Sequence, residues 1–180
     1  IKVAYEFYKK HPKETLIVVT ADHETGGIAL GTGKYALNLK ALENQKASAE
    51  VLSKKISDLR KAKNNHVAWE DIKNLLSEEM GFWSVLPITW EQEKKLRDEY
   101  EKSFVRNKVE FAESMYAKTE PMAAKAKEVM DQIAMVGWTS GGHSAGYVPV
   151  FAIGAGSDLF IGKMDNTEIP KRIAKAGGYK

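Results

Sequence analysis

Leu16-Ile17-Val18-Val19 runs directly into Thr20-Ala21-Asp22-His23-Glu24-Thr25-Gly26-Gly27, and no other stretch constrains the chain as much. An unbroken apolar, β-branched run reads as a strand buried on both faces, the pattern of an interior strand in a parallel sheet. In open α/β sheets, ligands bind just beyond the carboxyl ends of such strands. Asp22 and His23 fall at that spot. A carboxylate beside an imidazole is a donor set suited to zinc. The same pair can serve as a turn cap, and the residues alone leave both readings open. The glycine pair lets the backbone turn sharply and approach a ligand closely.

The chain has no cysteine, which excludes disulfides and thiolate zinc sites. Any metal must therefore be held by His, Asp and Glu. A formal net charge of +3 gives no support to a nucleic-acid partner. No apolar run approaches the ~18 residues that a membrane-spanning helix needs. The 180 residues suffice for a sizeable core. The sequence opens in mid-helix, with Val3, Ala4, Phe7 and Tyr8 on one face and His11-Pro12 as the stop. It starts without Met and without a signal-peptide pattern, so it is expected to be a piece of a longer protein.

Three zones follow. Residues 1–33 read as helix, strand and glycine-rich turn, with the strand over Thr15 to Thr20 and the stretch through Gly31 and Gly33 loop-like or bent. Residues 34–134 are rich in Lys, Glu and Ala and read as a largely helical insertion. Leu52, Ile56 and Leu59 form one apolar stripe, and Trp69, Ile72, Leu75 and Leu76 another. Thr89-Trp90-Glu91-Gln92 reads as a capping box opening a helix that runs to about Lys118. Thr119-Glu120-Pro121 starts the next, carrying Met122, Ala126, Val129 and Ile133. Residues 135–180 return to α/β character. Met135 to Thr139 and Val148 to Ile153 are strand candidates, and Asp165 is a candidate N-cap for a last helix ending near Gly177-Gly178. An insertion this long reads as a lid or subdomain.

The second polar cluster is Trp138-Thr139-Ser140-Gly141-Gly142-His143-Ser144-Ala145-Gly146. Glycines flank His143, which can equally be a hydrogen-bonded structural histidine. His23 and His143 both lie in glycine-rich turns beside strands, whereas His11 and His66 read as surface residues near helix ends.

TLIVVTADHETGG, followed much later by WTSGGHSAGYVPVFAIGAG, resembles the C-terminal part of the alkaline phosphatase family. The tail LFIGKMDNTEIPKRIAKAGGY resembles that family's closing helix. The resemblance implies part of an α/β/α sandwich, with residues 34–134 as a crown-like insertion. It also implies hydrolysis of phosphate monoesters through a phosphoserine, with two Zn ions and one Mg ion. Asp22 and His23 then correspond to ligands of the zinc that activates the serine, and His143 to a ligand of the other. The family's Asp-Ser-Ala nucleophile run, the magnesium ligands and the remaining zinc ligands do not occur here. No catalytic residue is therefore assigned within the chain, and the isolated chain is expected to be inactive. The resemblance further implies a homodimer in the periplasm or outside the cell, completed by an N-terminal part of the same protein, with no nucleic acid and no membrane span.

Two alternatives stand beside this. One is a related metal-dependent phosphodiesterase or other ester hydrolase, and the other a non-catalytic interaction module docking through its helices. Glu24 reads first as a solvated loop charge and second as a carboxylate that orients a ligand. Ser140 and Ser144 lack the Gly-x-Ser-x-Gly elbow of a nucleophile. Gly31-Thr32-Gly33-Lys34 fails the phosphate-loop pattern, because Tyr35 replaces the required Ser or Thr. Trp69, Phe82, Trp83 and Trp90 read as core of the insertion, with a substrate-facing role as the alternative.

Overall fold

A computed structural model describes residues 1–33, 35–113 and 118–179. Lys34 of the rejected phosphate loop lies outside the described residues. The chain divides into two compact units, residues 1–25 with 143–180, and residues 26–142. Helices and small sheets alternate, and no described helix is long and apolar enough to cross a membrane.

The first unit begins with helix α1, Lys2–Lys10. Lys9 and Lys10 complement the negative end of its dipole. The residue before a proline is pushed out of the helical region, so the helix stops at His11, whose N–H still reaches Phe7 O and Tyr8 O. Its expected core-facing side is open, with Val3 86% and Phe7 58% exposed. Strand β1, Leu16–Val19, follows and is half-buried throughout. Its partner β6, Phe151–Gly154, runs antiparallel, in register from Leu16 opposite Gly154 to Val19 opposite Phe151. The parallel, fully buried setting expected for β1 is therefore corrected, because an apolar run encodes burial and not the direction of its partner. Pro149, which has no N–H, lies outside β6, and the ladder starts two residues later. Gly154 adopts φ +103°, and a Cβ there would lie 2.0 Å from Thr15 O. A single 3-10 turn, Ser157–Phe160, buries Phe160 and leads towards α6, Glu168–Ala176. Asp165 is not the N-cap itself; its carboxylate accepts from the Thr167 N–H and hydroxyl just before the helix. Those two bonds, the backbone one first, hold its carboxyl below the ordinary value.

In the second unit, strand β2, Ile28–Leu30, pairs antiparallel with β5, Val136–Trp138. The stretch after Gly27 is thus a strand where the glycines pointed to a loop. Between these strands lie α2 (Ala49–Ala62), α3 (Trp69–Met80), α4 (Trp90–Tyr100) and α5 (Pro121–Ala134). Helix α5 packs against α2, α4 and α3 and buries Met122, Ala126, Val129 and Met130. Leu52, Ile56, Ile72 and Leu76 meet it in one core. Thr89 and Gln92 form the expected reciprocal box at 3.3 and 3.0 Å. Helix α4 does not run to Lys118. It loosens into a π-type turn over Glu101–Val105, and Asn107 enters the left-handed region at φ 52°. A short antiparallel pair, β3 (Ala112–Glu113) with β4 (Lys118–Thr119), follows; residues 114–117 of the expected helix lie outside the described residues. Phe82 is fully buried and Trp69 and Trp83 pack against the core, but Trp90 is 72% exposed. As the first residue of α4 it sits beside the cap, where no neighbouring turn covers it.

One ion pair is buried with this core. Glu120 caps α5 through the Met122 and Ala123 N–H groups and pairs with Arg60 at 2.8 Å, the Glu120 side chain being 3% exposed. Arg60 also donates to Ser103 O and lies over the Phe104 ring. Removing one partner of such a pair strands the other charge.

Three outcomes follow for stability. Glu120→Ala is expected to destabilise the protein by about 3–5 kcal/mol in urea unfolding, with an unchanged transition marking the pair as superfluous. Gly154→Ala is expected to lose about 1–3 kcal/mol of stability through strain at positive φ, read from the same curves. Asp71 caps α3 by accepting from Ala68 N, and this bond, with Lys63 next, lowers its carboxyl below 3.8. A lowered folded value means a contribution present above that pH and lost as pH falls through the folded value. The stability gap between wild type and Asp71→Asn should thus shrink as pH falls below the ordinary carboxylate range, and a gap independent of pH would contradict the assignment.

Candidate metal centre

The first unit brings Asp22, His23 and Glu24 of one polar cluster together with His143 and Ser144 of the other. In the antiparallel register, the carboxyl end of β1 and the amino end of β6 lie side by side. The loop carrying Asp22 and His23 leaves at the same end as the loop carrying His143 enters. The imidazoles of His23 and His143 meet face to face, with centroids 3.7 Å apart and planes tilted by 34°.

Asp22 and His23 form a local pair. Asp22 Oδ1 accepts the His23 backbone N–H at 3.0 Å, and Asp22 Oδ2 lies 3.3 Å from His23 Nε2. His23 Nδ1 lies 2.9 Å from the Glu24 carbonyl oxygen. A carbonyl oxygen only accepts, so the hydrogen-bond network assigns the proton to Nδ1. In the neutral ring Nε2 then carries a lone pair facing a carboxylate oxygen. Two acceptors at that separation call for a cation between or beside them, either a proton or a metal ion. Two ligands at 2.0–2.1 Å from a tetrahedral ion lie about 3.3 Å apart, so the pair has the chemistry and the spacing of adjacent zinc ligands. A ligating histidine with its other ring nitrogen on a backbone carbonyl is the usual arrangement. The Asp22 side chain is 83% exposed and thus open to an incoming ion. Among the described residues, no group of three or more His, Cys, Asp or Glu side chains surrounds a common point. Asp22 and His23 therefore form a pair and not a closed cluster.

Glu24 is not a solvated loop charge. It is half-buried, and its Oε2 accepts the Ser144 N–H at 3.0 Å and the Ser144 hydroxyl in a second, short bond. Ser144 Oγ in turn accepts from Gly146 N at 3.3 Å. The partner was not foreseen, though the sequence holds a positional signal: Glu24 and Ser144 each directly follow one of the candidate histidines. The Ser144 hydroxyl thus donates to Glu24 and accepts from Gly146. His11 and His66 are exposed, as expected.

A family model, Alkaline phosphatase, matches residues 1–179. The chain belongs to this family. Alkaline phosphatase 3 of Bacillus subtilis is 32% identical over 189 residues, covering 99% of this chain and 33% of that protein. Alkaline phosphatase 4 of the same organism is 28% identical over 175 residues, covering 97% of this chain and 32% of its own length. The crystal structure of a cold-active alkaline phosphatase from a psychrophilic Shewanella species superposes with a TM-score of 0.63 at 25% identity, covering 98% of this chain and 37% of that one. The chain thus spans about a third of the length of the curated relatives it matches.

Proposed function

We propose that the protein containing this sequence hydrolyses phosphate monoesters with two zinc ions, Asp22 and His23 serving one ion and His143 the other. The approach of the His23 and His143 rings to 3.7 Å carries the reading. Ions in two-metal sites lie about 3.5–4 Å apart. Candidate ligands from both sequence clusters thus lie within the span of one such site.

When bound, zinc supplies charge that polarises the phosphoryl oxygens and eases ionisation of a serine or water nucleophile. The chain's own residues bind and orient. The Glu24 carbonyl fixes the His23 tautomer, leaving Nε2 as the donor atom. The Asp22 carboxylate brings negative charge to the same edge. On this reading the serine that takes up the phosphoryl group and the magnesium ligands come from other parts of the protein, and the isolated 180 residues are expected to be inactive. Family membership favours an exported protein, in the periplasm or outside the cell, acting as a homodimer.

The test uses the protein as its gene encodes it. Asp22→Ala or His143→Ala should lower kcat/KM for a chromogenic phosphate monoester by about 100-fold or more, since losing a ligand exceeds losing its hydrogen-bond partner. Bound zinc should fall from about two ions to about one per chain. Variants that keep both zinc content and rate would overturn the assignment.

A further inference from the structure

We infer that Glu24 is a positioning residue that locks the His143 loop onto the Asp22–His23 loop and so fixes the spacing of the two imidazoles. The inference rests on reading those histidines as metal ligands. Its basis is a reciprocal arrangement: Glu24 follows His23, Ser144 follows His143, and Glu24 and Ser144 bond to each other. Each anchor is one residue from the ring it positions, across a sequence separation of 120.

Oε2 of Glu24 takes both donors of Ser144, its backbone N–H and its hydroxyl. The loop cannot pivot about a single bond. The Ser144 hydroxyl spends its proton on Glu24 and accepts the Gly146 N–H, which extends the hold to the far side of the loop. Gly146 leaves room for this. A Cβ there would lie 3.0 Å from Glu24 Cγ and 3.3 Å from Ser144 Oγ. The backbone carbonyl of the same Glu24 meets His23 Nδ1. One residue therefore orients the first imidazole through its main chain and ties down the second through its side chain. A carboxylate whose oxygen is taken up by two donors acts through them, as hydrogen-bond partners of metal ligands do.

Glu24→Ala, Glu24→Gln, Ser144→Ala and wild type separate this role from others, in the protein as its gene encodes it. Zinc affinity is read by competition with a chromophoric chelator, and site geometry by visible absorption after cobalt replaces zinc. Gln keeps an oxygen that can accept both Ser144 donors, whereas Ala keeps none. Glu24→Ala should bind zinc about 10–100-fold more weakly and alter the cobalt spectrum, while Glu24→Gln stays near wild type on both. Ser144→Ala, which deletes only the hydroxyl, should fall between them, and it carries the comparison where Glu24→Ala unfolds. Wild-type affinity and spectrum in Glu24→Ala would overturn the inference and leave the phosphatase reading standing. A folded Glu24→Gln as impaired as Glu24→Ala would also overturn it, making the charge itself the requirement. Wild type that binds no more zinc than Asp22→Ala would overturn the metal reading, and the inference with it.

Discussion

The antiparallel pairing of Leu16–Val19 with Phe151–Gly154 is the contact on which the functional geometry depends. Antiparallel strands put the end of one beside the beginning of the other. The loop after Val19 and the loop before Phe151 are consequently neighbours, and the chemistry sits in those loops. Closing so long an intervening segment costs entropy, though the cost rises only slowly with length. The second unit reduces the problem by closing on itself: Ile28 pairs opposite Trp138, and Thr139 and Ser140 donate to Gly26 O. The chain therefore enters and leaves that unit at adjacent points.

The helical unit is held by different means. Its core is apolar and Met-rich around α5. One buried ion pair, Arg60 with Glu120, sits where α5 begins, so capping and charge pairing are one constraint. The aromatic residues divide between this core and solvent. Phe82 is enclosed, while Trp69 lies edge-on to Trp83 and Tyr100 with the Arg97 guanidinium over its face.

Much of this was legible from residue patterns, because helices announce themselves by period and by cap. The stripes at Leu52 and Ile56, the Thr89–Gln92 box and the Glu120-Pro121 start all stand where the pattern put them. The end of α4 did not, since a π-type turn followed by a left-handed Asn leaves no glycine or proline to read. Strand partners were also illegible. Period and burial say nothing of direction, so Leu16–Val19 looked parallel. At the candidate site, Asp22, His23 and His143 stood out as metal-binding residue types in glycine-rich turns. Glu24 stood out only as a loop charge with a ligand-orienting role as the second reading, because its bond to Ser144 exists only after folding.

The account's central claim is that two imidazoles brought together by strand pairing serve two neighbouring zinc ions. Anomalous diffraction at the zinc edge, on crystals of the zinc-loaded protein as its gene encodes it, tests this directly. The account predicts two zinc peaks about 4 Å apart, one within about 2.0–2.2 Å of donor atoms of Asp22 and His23 and the other equally close to His143. Zinc peaks bound elsewhere, with the His23 and His143 rings still stacked on each other and free of metal, would contradict it.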